Sequence, residues 1–244
     1  MNIIYVVMPA YNESENIRTV IDEWYTVVER HNEEGKSRLL IVDDGSKDHT
    51  YEILKQEATK RPLLIIKSKK NSGHGDTVID GYRYAIQAGA DYIFQTDSDG
   101  QTRPEEFESF WENRQKYEAI IGYRNHREDG ISRVFVTKVL RFVVYLCFHQ
   151  WVKDANTPYR LMKRDTLIQY LKLMPKHFNL PNVVLAVAYV RFSKNRTLFL
   201  PITFRKRQGG VNSINLKNIC IIGKQAIMDF VMIRRRMDAF ENRE

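Results

Sequence analysis

Cysteine, glycine, proline and long uncharged runs are all scarce in this sequence, and each scarcity excludes something. Only two cysteines, Cys147 and Cys220, occur in 244 residues, too few for a disulfide framework. Both stand among apolar neighbours and read as buried thiols of a reducing compartment. Glycine (12) and proline (7) are too sparse for a collagen-like or low-complexity chain. The longest stretch free of charged residues, 177–190, has 14 residues and contains Pro181. About 20 apolar residues are needed to cross a bilayer, so no membrane span is expected. The chain opens on a strand-like run, Ile3 to Met8, without a basic leader or cleavage site, so secretion is not expected. No internal repeat and no linker-like stretch is present. What remains is 43% hydrophobic and 28% charged, the composition of a folded globular chain rather than a disordered one.

The charge is unevenly placed. Lys and Arg total 38 against 30 Asp and Glu, a net charge of +8. Acidic clusters occupy residues 1–120. The later segments carry Arg124, Arg127, Arg133, Lys138 and Arg141, then Arg205, Lys206 and Arg207, then Arg234, Arg235 and Arg236. A solvated cationic surface, nucleic acid, phosphorylated small molecules and an anionic membrane all fit such an excess. No stacking-rich basic strand is present, which argues against a nucleic-acid partner.

Short apolar runs recur at Ile3–Met8, Leu39–Val42, Leu63–Ile66, Tyr92–Phe94 and Ala119–Ile121. They are apolar on both faces, as strands inside a parallel sheet must be. Helical patterns separate them: a stripe of Ile17, Val20, Ile21, Trp24, Val27 and Val28, then Thr50–Ala58, Thr77–Ala88 and Pro104–Tyr117. This alternation predicts a doubly wound α/β domain with ligands at the carboxyl ends of its strands. Beyond residue 130, the segment 131–152 is strongly apolar but carries Arg133, Lys138 and Arg141. It reads either as a core helix or as an amphipathic helix at a membrane interface. Residues 164–190 read as helical, Thr197–Phe204 as one more strand, and Leu216–Phe240 as a final helix ending in a basic cluster.

Polar residues collect where the first strands end. Pro9-Ala10-Tyr11-Asn12-Glu13 follows the first, Asp43-Asp44-Gly45-Ser46 the second, and Asp97-Ser98-Asp99-Gly100-Gln101 the fourth. In a parallel sheet all three loops share one rim. Two carboxylates as close as Asp97 and Asp99 repel each other unless a cation joins them. A hard divalent ion completed by water and diphosphate oxygens fits that arrangement; a lone Asp-x-Asp is otherwise an ordinary Asx turn. The loop Asn71-Ser72-Gly73-His74-Gly75 opens a helix but lacks the dinucleotide fingerprint, because position 78 is Val. Its glycines serve either close approach to a nucleotide or a tight turn. His74 has no partner at ligand spacing, and no phosphate-cradling P-loop occurs.

Taken in order, Pro9-x-Tyr11-Asn12-Glu13, Asp43-Asp44-Gly45-Ser46, Asn71-x-Gly73-x-Gly75 and Asp97-x-Asp99 resemble the family 2 glycosyltransferases of GT-A fold. Gly122-Tyr123-Arg124, Arg127 to Gly130, Arg133, Asp154-Ala155-Asn156, Phe204-Arg205 and Gly209-Gly210 are similar to the dolichyl- and polyprenyl-phosphate sugar synthase branch. The resemblance covers roughly residues 3–215. It implies a mostly parallel, Rossmann-like α/β sheet over 1–215, with an interfacial helical subregion at 131–152 and a basic amphipathic tail at 216–244. It also implies inverting transfer of one sugar from a nucleotide-diphosphate donor to a polyprenyl phosphate, with Mg²⁺ or Mn²⁺. A UDP-sugar is favoured over GDP-mannose.

Carried over by position, Pro9, Tyr11, Asn12, Glu13 and Asp43 would hold the base and ribose, with Gly73 and Gly75 beside the donor. Asp97 would lie at the nucleotide sugar, and Asp99 and Gln101 would bind the metal. Arg124, Arg133 and Arg205 would grip the acceptor phosphate, with Asp154 the alternative base. Many members of the branch append membrane-spanning helices. Their absence here implies peripheral attachment at the cytoplasmic membrane face, or a membrane-protein partner. The processive Gln-x-x-Arg-Trp signature is missing, since Gln150 directly precedes Trp151. A glycosyltransferase acting on a sugar hydroxyl of a surface glycan precursor is the alternative. A receiver-type signalling module is too short and needs no Asp-x-Asp after a later strand.

Overall fold

The computed structural model describes residues 2–127, 131–205 and 216–242; the side chains of 126–136 and 216–227 lie outside the description. Seven strands form one sheet among these residues: β1 (Ile4–Ala10), β2 (Arg38–Asp43), β3 (Leu64–Ser68), β4 (Tyr92–Gln95), β5 (Ala119–Arg127), β6 (Arg160–Lys163) and β7 (Thr197–Phe204). Their order is β3-β2-β1-β4-β6-β5-β7. Only β6 runs against the others, antiparallel to both β4 and β5. The pairs β1–β2, β1–β4, β2–β3 and β5–β7 are parallel. The first five strands and β7 fall where the apolar runs predict. Strand β6 was not expected: it has four residues, two of them cationic, so its period is invisible against its charge.

Every residue of β1 is buried. Alternation splits them between two layers, because successive side chains point to opposite faces. Ile4, Val6 and Met8 pack with Trp24 of α1 (Ile17–Arg30) and with Phe107 and Phe110 of α4 (Phe107–Asn113). Tyr5 and Val7 face α3 (His74–Gln87) and α7 (Pro181–Phe192). Helix α2 (Thr50–Ala58) has its expected bounds. A 3₁₀ turn at Pro104–Glu106 precedes α4, which ends four residues before the expected Tyr117. The stretch 164–190 is broken into α6 (Arg164–Leu171) and α7. Pro181 starts α7, where the missing N–H costs nothing, and Pro175 cannot continue α6.

The segment 131–152 divides between the core and the surface. Helix α5 (Ile131–Phe148) buries Val144 and Phe148 in the core, yet Phe142 is 57% exposed, with Val139, Tyr145 and Leu146 beside it. Trp151 just beyond is 61% exposed. Helix α8 (Leu216–Glu241) packs on α5 and α7, and the stretch expected as a tail sends Phe230, Ile233 and Met237 into the core. Cys147 corrects the expectation of a sealed thiol: it is half-buried on α5, and desolvation still raises its pKa. Cys220 lies outside the described side chains. No helix among the described residues is long and apolar enough to cross a membrane.

Candidate active site

Because β1, β2 and β4 are parallel and in register (Ala10 opposite Asp43, Val7 opposite Gln95), their carboxyl ends share one rim. Backbone and side chains then tie the rim loops together. Asp44 N–H donates to the Ala10 carbonyl at 2.8 Å, and Ser98 Oγ to the Pro9 carbonyl at 2.8 Å. Asn12 adopts a left-handed conformation (φ 56°), which asparagine tolerates better than most residues. Its N–H donates to Ser46 Oγ at 3.0 Å and its Oδ1 accepts from Lys47 N–H at 2.8 Å. Tyr11 is exposed on this rim. Glu13 is buried, its N–H given to Thr50 Oγ1 and its Oε2 accepting from Asn16. Asp43 is only 1% exposed and accepts from Ser68 Oγ at 2.9 Å.

Asp44, which carries no assigned role in the sequence motif, anchors the glycine loop. Its carboxylate accepts from Ser72 N–H and Gly73 N–H, each at 2.9 Å, and from Lys69 Nζ at 2.8 Å. Burial alone would raise its pKa; the hydrogen bonds from Lys69 and Ser72 outweigh burial and hold it below the usual carboxylate range. Gly73 sits at φ 92°, where a side chain would be strained. Gly75 serves a different purpose. A Cβ there would lie 2.0 Å from the Phe178 carbonyl oxygen, so the close approach is made by this chain's own 178–179 segment. His74, at the start of α3, lies within the fields of Asp99 and Asp44.

At the end of β4, Asp97 and Asp99 are both half-buried. Asp99 Oδ1 accepts from Gln101 N–H at 3.1 Å. Gln101 itself is buried and turned toward β7: its Nε2 donates to the Arg205 carbonyl at 2.9 Å, and Arg205 N–H returns a bond to its carbonyl at 2.8 Å. The bond commits its amide nitrogen to the frame, whereas a metal would be met through its Oε1. Arg205 is held within the fold as well. Its guanidinium is engaged by Glu23 Oε2 at 2.9 Å and the Thr102 carbonyl at 2.6 Å, so it braces β7 against α1.

Arg124 and Asp154, expected as a phosphate grip and an alternative base, are joined to each other. Nε and Nη2 of Arg124 meet the two Asp154 oxygens at 2.7 and 2.8 Å, a bidentate pair that fixes the guanidinium plane. Beside them, Lys138, Arg141 and Lys153 line a cleft of about 130 Å³ between the end of β5 and α5. Arg133 belongs to the first turn of α5, and its side chain lies outside the described residues. Among the described residues no group of three or more His, Cys, Asp or Glu closes around one point. At the rim, Asp97 and Asp99 would be the carboxylates to meet Mg²⁺ or Mn²⁺, which need only one or two when diphosphate oxygens and water complete the shell.

A mostly parallel sheet with one reversed strand and an acidic carboxyl-end rim is the GT-A arrangement, and the class it defines is a glycosyltransferase. The chain belongs to glycosyl transferase family 2, whose family model matches residues 5–199. It is 30% identical over 186 residues to the UDP-N-acetylglucosamine–dolichyl-phosphate N-acetylglucosaminyltransferase of Methanococcus voltae, covering 68% of this chain and 71% of that one. A dolichyl-phosphate beta-glucosyltransferase of Trichomonas vaginalis is 31% identical over 177 residues, 65% of this chain and 51% of its own. An undecaprenyl-phosphate 4-deoxy-4-formamido-L-arabinose transferase of Pectobacterium atrosepticum is 23% identical over 213 residues, 86% and 62%. The chain thus spans between half and seven tenths of these relatives. In fold, it matches glucosyl-3-phosphoglycerate synthase of Mycobacterium tuberculosis, solved with Mn²⁺, UDP and phosphoglyceric acid, at a TM-score of 0.68 and 16% identity, over 96% of this chain and 78% of that one.

Proposed function

We propose that this chain transfers one sugar from a nucleotide-diphosphate donor to a polyprenyl phosphate at the cytoplasmic membrane face, with inversion at the anomeric carbon. One observation carries the reading: the acidic donor rim adjoins a cleft with four cations (Arg124, Lys138, Arg141 and Lys153) and one carboxylate, Asp154, and α5 extends from that cleft as an exposed apolar face. A phosphate joined to a long hydrocarbon matches both surfaces. The relatives from Methanococcus, Trichomonas and Pectobacterium are all named for polyprenyl-phosphate acceptors. A UDP-sugar is the favoured donor, as in the name of the archaeal relative.

The residues divide the work. Tyr11, Asn12, Glu13 and Asp43 border the nucleoside, and Asp97 faces the sugar. Asp99, with Asp97, would hold Mg²⁺ or Mn²⁺, which when bound neutralises the departing diphosphate. The acceptor phosphate is already an anion near neutral pH, so its oxygen attacks the anomeric carbon without surrendering a proton. The bond to the donor diphosphate breaks, and its electron pair leaves with the nucleoside diphosphate. Cations at the cleft offset the repulsion between two anionic substrates, and a guanidinium fork orients the phosphate. A sugar-hydroxyl acceptor would instead need a base within about 2.6–3.2 Å, and Asp154 is occupied by Arg124. Attachment to the membrane is through the apolar faces of α5 and α8, with or without a membrane-protein partner.

The test is transfer from UDP-glucose, UDP-N-acetylglucosamine and GDP-mannose to undecaprenyl and dolichyl phosphates with Mn²⁺. A lipid product bearing one sugar, lost on chelation, is expected. Transfer to sugar hydroxyls but not to lipid phosphate would overturn the reading.

A further inference from the structure

A buried arginine lies beneath this rim. Arg160, the first residue of β6, has no exposed surface. Its strand pairs with two neighbours, Gln95 of β4 and Ile121 of β5, so it stands two residues before Asp97 and three before Arg124. Its neighbours Tyr159 and Leu161 pack into the α1 layer. Arg160 therefore points to the opposite layer, among Tyr82 of α3 and Asn182 and Tyr189 of α7.

Among the described residues its hydrogen-bond partners are all backbone carbonyls. The guanidinium donates to the carbonyls of Thr157 at 2.6 and 3.2 Å, of Asn182 at 2.9 Å and of Ala155 at 3.4 Å. A guanidinium stays charged in proteins, and a buried charge without a counter-charge is costly. The groups whose fields reach it are Tyr82, Tyr189, Asp154 and Asp97. The two phenols cannot serve, because burial raises both pKa values far above neutrality. Asp154 and Asp97 are left. Around Arg160, Gln95 Nε2, Thr157 Oγ1, Asn182 Oδ1 and Tyr189 Oη are buried with no hydrogen-bond partner among the described residues, and a buried polar group left unpaired is destabilising. Polarity kept at such a cost beside a rim of acidic loops points to function rather than to stability.

We infer that Arg160 is a positioning residue whose buried charge and carbonyl staples hold the 154–157 segment, so that Asp154 presents Arg124 to the acceptor phosphate and Asp97 stays in place at the sugar. The catalytic half of this inference rests on the function proposed above; the electrostatic half does not.

The experiment is an unfolding cycle of wild type, Arg160→Met, Asp154→Asn and the double variant, run with acceptor kinetics. Loss of the carbonyl bonds is common to both Met variants and cancels in the cycle. The rise in unfolding constant caused by Arg160→Met should be at least tenfold smaller with Asn at 154 than with Asp. An equal rise in both backgrounds overturns the counter-charge. If Arg160→Met alone does not fold, a folded double variant supports the inference and an unfolded one overturns it. In turnover, Arg160→Lys keeps the charge and should hold acceptor KM well below that of the Met variant, with donor KM within about threefold of wild type. Equal acceptor KM values for Lys and Met overturn the positioning role. A wild-type protein that transfers nothing to lipid phosphate defeats the proposed function, while the unfolding cycle still decides Arg160.

Discussion

Gly75→Ala separates two readings of the glycine loop. If Gly75 makes room for a nucleotide, alanine should weaken donor binding and leave the fold alone. The geometry argues otherwise, because the alanine Cβ would lie 2.0 Å from the Phe178 carbonyl oxygen, 2.8 Å from Asn179 Cα and 2.9 Å from Asn179 C. These are backbone atoms, so no rotamer change relieves them. Reaching an ordinary contact of 3.4 Å requires the 178–179 backbone to retreat by about 1.4 Å. Overpacking of this kind costs about 1–3 kcal/mol, and a rigid backbone neighbour places it near 3. Gly75 is the second residue of α3, so alanine regains at most the ~1 kcal/mol that separates the two residues in a helix interior. The net loss is about 2 kcal/mol, which for a chain of this size lowers Tm by about 4–8 °C. Thermal melting with and without UDP and Mn²⁺ reads both effects. An unchanged or raised Tm together with a tenfold loss of nucleotide affinity would refute the packing argument.

Three further outcomes are expected. Asp99→Asn should lower kcat/KM by about 10²-fold or more, on the scale of losing one charge-stabilising group, while Tm moves by less than about 2 °C; activity that survives excess chelator would contradict this. Asp44 has a folded pKa below its unfolded value, so its contribution is present above about pH 4 and lost as pH falls through the depressed value; Asp44→Asn should make the urea midpoint less dependent on pH between 6 and 3, and an unaltered slope would dismiss the anchor. Replacing Phe142, Leu146 and Trp151 with serine should weaken sedimentation with anionic vesicles at least tenfold, since each buried side chain contributes up to about 1.5–3 kcal/mol; wild-type and variant proteins that bind alike would remove α5 from the interface.

Local signals made much of this molecule legible in its sequence. Strands buried on both faces need continuous apolar runs, so β1 to β5 stand out, and β7 (Thr197–Phe204) has the bounds its pattern predicts. Helix α1 shows its stripe, because burying one face of a helix demands that period. Polar loops after β1, β2 and β4 share a rim for a simple reason: parallel strands all end on the same side. The acidic rim and the family it resembles were therefore both readable from residue order. Tertiary structure alone decided which polar residues are free to meet a ligand. Arg205 looks in sequence like an unpaired cation, yet Glu23, 182 positions away, pairs with it, and Gln101 Nε2 is tied to its carbonyl. Asp44 rather than Asp43 anchors the glycine loop, because only the fold sets the N–H groups of Ser72 and Gly73 against it. Strand β6 leaves no such mark in the sequence, since it begins and ends on a cation and a buried charge is readable only when its distant counter-charges are in view. Hydrophobic period is a local property of the chain, whereas the compensation of a charge or the filling of the space before a glycine depends on residues that only folding brings together.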